Sequence, residues 1–281
     1  MIAAKTKVIL FNAGAILIAV GALIGVGRSI FSPSTTQPCG DRYTNSTVFG
    51  LDRDGAILTA ADLLARIGND GSGVTENVDV VRPRDTRVPA AMRINLRTGP
   101  ASPGSDTKAG IAFRWQPRSV QNQVAACLSY SVFFFGELEF QGGGVLPGLQ
   151  GVDQSQQTRD GFAAHLAWRQ DGRPGATLAL TTNGENQTIR LESKGVTFPR
   201  GQWVKIDQEI VLNAADQANG IFRVWVDGAL AIERADIAFR AKPAVTLAGV
   251  AVNVAYGTAE ATAWAPSDTK IWVSPFDMSW R

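Results

Sequence analysis

Residues 161–169 read GFAAHLAWR. Successive side chains of a strand point to opposite faces. Phe162, Ala164, Leu166 and Trp168 therefore share one face, and Ala163, His165, Ala167 and Arg169 share the other. The first set is apolar and belongs between two layers. The second carries an imidazole and a guanidinium on a floor of alanines, which suits a face open to a ligand. Working outward, short runs of period two broken by Gly, Pro, Asn and Asp recur along the chain. They predict strands at 77–81, 90–97, 109–115, 124–135, 161–169, 175–182, 187–192, 203–212, 220–226, 229–234, 246–254 and 270–280. Many short strands at such spacing predict an all-β jelly-roll sandwich of the concanavalin-like kind. Val226-Asp227-Gly228 is a hairpin turn signal. One short α-helix is expected where Thr59 can cap AADLLARI, with Asp62 three residues on and Gly68 as the stop. Ala60, Leu63, Leu64 and Ile67 form its apolar stripe.

Composition narrows the function. The chain has 281 residues, 27 Lys and Arg against 25 Asp and Glu, one His and two Cys. Three of the basic residues (Lys5, Lys7, Arg28) precede residue 29 and no acid does, so the remainder holds 24 basic and 25 acidic residues, a net charge of −1. A near-neutral body argues against nucleic acid as a partner. One His and two Cys exclude zinc sites built from clusters of those residues. Asp52-Arg53-Asp54-Gly55 lacks the further ligands of a calcium loop, so no metal and no cofactor is expected.

Val8 to Val26 reads VILFNAGAILIAVGALIGV, 19 residues without a charge behind Lys5 and Lys7. A bilayer core takes roughly 20 apolar residues, and a cleaved signal has a shorter core and a small-x-small exit. The run is read as an uncleaved anchor within 1–28, with membrane lipid as its partner. The lysines place the N-terminus in the cytoplasm. Gly21 and Gly25 form a small-xxx-small pair, open to another helix or simply the small residues common in spans. Residues 29–46, rich in Ser, Thr and Pro, read as a tether, and 47–281 as the sandwich. The body is then periplasmic on a bacterial inner membrane, where Cys39 and Cys127 can pair or stay as separate thiols.

Several segments then align with one family. GGGVLPGLQG at 142–151 resembles the GGKLPGLYGG of the polysaccharide lyase 14 and 20 type, whose members cleave alginate and glucuronan. GFAAHLAWR is similar to its FSARLMWR. GQWVKIDQEIVLN at 201–213, ANGIFRVWVDG at 218–228, and WAPSD at 264–268 followed by IWVSPFDMSW continue the likeness in order over 124–281. The resemblance implies a jelly roll with a groove on one sheet.

It also shows departures. β-Elimination of a uronate needs a carboxylate neutraliser, a base and a proton donor to the leaving oxygen. Val145 stands at the motif's Lys, His165 at its Arg, and 175–182, GATLALTT, has none of the tyrosines the resemblance implies there. Of Tyr43, Tyr130 and Tyr256, the first falls in the tether, the second in a core-like strand, and the third is expected near the groove. The catalytic candidates are His165 with Tyr256 as an acid–base pair and Arg159 or Arg169 as neutraliser. The plain alternative for His165 is a polar residue with no ligand. Arg169, Arg190 and Lys194 are candidate binding residues. Trp115, Trp203, Trp225, Trp264, Trp272 and Trp280 are expected to be buried.

Three functions remain. The first is a non-catalytic accessory subunit among other membrane-protein subunits, as in energy-converting or photosynthetic assemblies. The second is an active polysaccharide lyase, and the third a surface module that binds polysaccharide.

Overall fold

A computed structural model describes residues 37–281 except 86, 98–109, 194, 216 and 258–264. The run 8–26, residues 29–36 of the tether, Lys194 and Trp264 lie outside the described residues. Among the described residues no helix is long and apolar enough to cross a membrane.

Strand β1 (Asn45–Phe49) precedes a small hairpin, β2 (Asp52–Arg53) and β3 (Ala56–Ile57). Helix α1 (Ala60–Arg66), β4 (Gly71–Ser72) and the single turn α2 (Val74–Asn77) lead into β5 (Val78–Val81), β6 (Ala91–Leu96), β7 (Gly110–Trp115) and β8 (Ala125–Phe134). Then come β9 (Gly144–Leu146), β10 (Gly148–Asp153), β11 (Gly161–Trp168), β12 (Pro174–Thr182) and β13 (Glu185–Glu192). The chain ends with β14 (Trp203–Val211), β15 (Gly220–Val226), β16 (Ala229–Ile237), β17 (Val245–Tyr256), β18 (Thr269–Val273) and β19 (Phe276–Trp280). A nine-stranded sheet runs β16-β15-β14-β8-β18-β6-β5, with β19 also on β8 and β1 on β19. An eight-stranded sheet runs β13-β12-β11-β10-β17-β7-β4, with β9 also between β11 and β17.

The two inner faces interdigitate as alternation requires. Phe162, Ala164, Leu166 and Trp168 of β11 are buried against Leu128, Tyr130, Val132 and Phe134 of β8 in one core. Helix α1 has the expected capping box, in which Asp62 N–H donates to Thr59 Oγ1 and Asp62 Oδ2 accepts from Thr59 N–H. Leu63 and Ile67 are its buried stripe. Asp227 and Gly228 both have positive φ and turn β15 into β16, as a two-residue hairpin of this hand demands.

Two stretches differ from the sequence expectation because of proline. The single strand expected over 270–280 is two, β18 and β19, separated at Ser274-Pro275, and both still lie along β8. Residues 144–153 form β9 and β10, which share the space between β11 and β17 on either side of Pro147. Proline has no N–H for the ladder. Alternation is hidden in this stretch by its glycines, whose missing side chains make room for neighbours. A Cβ on Gly144 would fall 1.8 Å from the Trp168 ring, so only glycine leaves room for that indole beside β9.

The domain begins before residue 47. Pro38–Arg281 is one compact unit, so residues 38–46, read as part of the tether, belong to the domain. The reason is the packing of residues 38–43 on the outside of the nine-stranded sheet, while Asn45 and Ser46 begin β1. Cys39 is joined to Cys127 of β8 with a Cα–Cα distance of 5.7 Å. Tyr43, expected in the tether, is buried with Cys39, Cys127 and Trp225. Its hydroxyl donates to Glu209 Oε1 at 2.6 Å, and burial pushes its pKa up. Arg42 and Arg223 flank the same buried carboxylate at 2.9 and 3.0 Å, which is how a charge is tolerated there. The disulfide closes a loop with a sequence separation of 88. Cys39→Ser is expected to cost about 2–4 kcal/mol, read from denaturant midpoints. A midpoint equal to that of the oxidised parent would show that the strap 38–43 holds without the bond.

Candidate functional site

The outer face of the eight-stranded sheet carries two adjoining pockets of about 400 and 410 Å³. His165 lines both, so the two form one trough across β11. Such volumes fall within the range of ligand sites. The first pocket is walled by Gly142 to Val145 on one side and by Arg169, Arg173, Thr177 and Glu192 on the other. The second is lined by Gln150, Ala163, Ala251, Asn253, Arg114 and Ser72.

Strand register builds this face. His165 sits opposite Thr177 of β12, which sits opposite Arg190 of β13. Ala167 sits opposite Val145, which sits opposite Ala255. Gln150 pairs with Ala163. The floor is therefore mostly alanine and glycine, which leaves the depth for a ligand, and the polar groups stand up from it.

His165 is half-buried and its Nδ1 is buried without a hydrogen-bond partner. Burial lowers the imidazole pKa, opposed by the backbone of Leu146. Arg169 lies across Gly175, where any Cβ would meet its guanidinium. Its Nε is 3.6 Å from Glu192 Oε1, and Nε and Nη2 are buried without hydrogen-bond partners. This guanidinium is held in the wall of the first pocket. Gln150 is likewise buried with an unpartnered Nε2.

Behind the floor, Gln208 of β14 reaches across the core. Its Nε2 donates to Ala164 O at 2.7 Å and its Oε1 accepts from Leu149 N–H at 2.6 Å. These are the ladder groups left open where Pro147 interrupts the strand beside His165. One buried amide from the opposite sheet thus closes the break and fixes the backbone that carries the imidazole.

The structure brings His165, Arg169 and Arg190 onto one face and separates the remaining candidates from it. Tyr256 was expected beside His165; it is buried on the inner side of β17 instead. Its hydroxyl donates to Glu139 O and Gln141 O, and its ring packs edge-on to Trp168 under Gly142. Past the bulge opposite Gln150/Gly151, Val250, Val252, Val254 and Tyr256 share the inner face of β17, and Asn253 lies on the trough side. Arg159 is exposed in the loop before β11, four or more residues from His165 along the strand direction, or roughly 13 Å or more. Lys194 lies outside the described residues. Gln150, Asn253, Arg114 and Thr177 were missed. Their signal was the outward parity of β7, β10, β12 and β17, readable only once the register is known.

The antiparallel sheets and the trough beside Gly142, Gly143 and Gly144 define a jelly-roll sandwich. The family model for polysaccharide lyase 14 matches residues 85–276, and the chain belongs to that family. Solved structures share the fold at low identity. The alginate lyase of Aplysia kurodai is 18% identical, covering 85% of this chain and 99% of that one, with a TM-score of 0.66. The alginate lyase of a Chlorella virus is 15% identical, covering 84% and 100%, with a TM-score of 0.61. The endo-β-1,4-glucuronan lyase of Trichoderma reesei is 12% identical, covering 85% and 96%, with a TM-score of 0.55. No curated protein matches the chain in sequence.

Proposed function

We propose that this chain is a membrane-anchored polysaccharide lyase 14 domain that binds an acidic polysaccharide in its trough without cleaving it. It would serve as an accessory subunit on the periplasmic side of a bacterial inner membrane, alongside other membrane proteins. The observation that carries this reading is the fate of the tyrosines. The chain has three. The Tyr43 hydroxyl is spent on Glu209, that of Tyr130 on Pro147 O, and that of Tyr256 on Glu139 O and Gln141 O, all with buried rings. Among the described residues no lysine lines either pocket. A carboxylate can be met by Arg169, yet His165 would have to serve as both base and acid. Each missing catalytic group typically costs about 10²–10⁴ in rate.

The second reading, an active lyase, is favoured by one observation: His165 and Arg169 line the same pocket. The experiment follows the ultraviolet absorbance of unsaturated product from the full chain on alginate and glucuronan, the polymers cleaved by the relatives. No turnover above background is expected, together with retention on the polymer that Arg169→Ala weakens. Turnover that His165→Ala abolishes would establish the active lyase. Absence of both turnover and retention would leave the trough without a polyuronate ligand.

A further inference from the structure

The second large feature lies on the opposite side of the sandwich. Cys127, Ser129, Ser131 and Phe133 of β8 point outward from the nine-stranded sheet, since Leu128, Tyr130, Val132 and Phe134 fill the core. At one end of this face Phe133 sits opposite both Trp203 of β14 and Trp272 of β18. The three rings and Phe135 form one cluster with centroids 4.9–6.1 Å apart. All four are half-buried, although both tryptophans were expected in the core. Lys270 lies 4.9 Å over the Phe135 ring, and Lys205 is exposed between the cluster and the strap.

The first described residues lie on this same face. Cys39 is stapled to Cys127, and Gly40 lies against Ser129, Asp207 and Lys205. From Cys127 to Phe133 is six residues of strand, about 20 Å. Between Val26, the end of the uncharged run, and Pro38 stand residues 27–37, GRSIFSPSTTQ. Eleven residues reach at most roughly 36–40 Å when fully extended. With the anchor proposed above, Cys39 stays within about that reach of the bilayer. Tryptophan and phenylalanine with lysines at the rim suit the headgroup layer, where rings sit at the interface and ammonium groups snorkel.

We propose that the outer face of the nine-stranded sheet rests on the phospholipid surface through Trp203, Trp272, Phe133 and Phe135, which turns the trough on the other sheet away from the membrane. This rests on the anchor reading above.

The test uses the full chain in phosphatidylcholine vesicles with brominated acyl chains, which quench indoles at the interface. Quenching of the intrinsic emission is expected, and W203F/W272F should remove more than half of it, whereas W115F should not. Equal quenching in W203F/W272F overturns the proposal. Hydroxyl-radical footprinting of the unmodified chain needs no variant to fold: vesicles should protect Trp203 and Trp272 and leave exposed Val152, beside the trough, labelled. Labelled Trp203 and Trp272 overturn the proposal, as does their protection by concentration alone in detergent, which would mark a second copy. Loss of the chain from vesicles in an alkaline carbonate wash would instead refute the anchor, a separate result.

Discussion

Trp168→Ala is expected to destabilise the domain by about 3–5 kcal/mol, the range for truncating a large buried aromatic. Trp168 is fully buried. It makes edge contacts with Phe134 of the opposite sheet and Tyr256 of its own, while Gly144 lies on its ring. The β9 backbone that walls the first pocket therefore rests on this indole. The loss should appear as a lower denaturant midpoint with an unchanged slope, and polyuronate retention should fall with it. A loss below about 1 kcal/mol would mean that the ring does not fill the space between the sheets.

Gln208→Leu is expected to cost about 2–6 kcal/mol, for a reason unrelated to volume. The variant strands Leu149 N–H and Ala164 C=O in the core, and an unmet buried donor or acceptor costs about 1–3 kcal/mol each. Gln208 is fully buried, so water cannot easily take its place. The amide of Leu149 should lose its hydrogen-exchange protection in the variant while amides along β14 keep theirs. An unchanged midpoint together with full protection of Leu149 would show that the break at Pro147 is closed by other means. Because Ala164 precedes His165, the same variant should loosen the imidazole and weaken ligand retention.

A repeating apolar and polar alternation is a local property, and the sequence by itself determined what depends on it. It set the all-β class, the side of β11 that packs inward, the capped helix at Thr59 and the turn at Asp227-Gly228. It also showed that Val145 and a tyrosine-free β12 occupy places where the family resemblance implies catalytic groups. Tertiary structure decided what depends on partners distant in the chain. Cys39 meets Cys127 because residues 38–43 bind the outside of the nine-stranded sheet, a choice that the Ser- and Pro-rich composition of 29–46 concealed. Tyr256 faces inward with Val250, Val252 and Val254, a side fixed by the pairing of β17 with β7, β9 and β10. The trough gathers Gln150, Asn253, Arg114 and His165 from four strands, and no spacing within one strand encodes that gathering. Trp203 and Trp272 are core-like by type and lie outside the core, since each strand has two faces and only pairing with Phe133 shows which one they share.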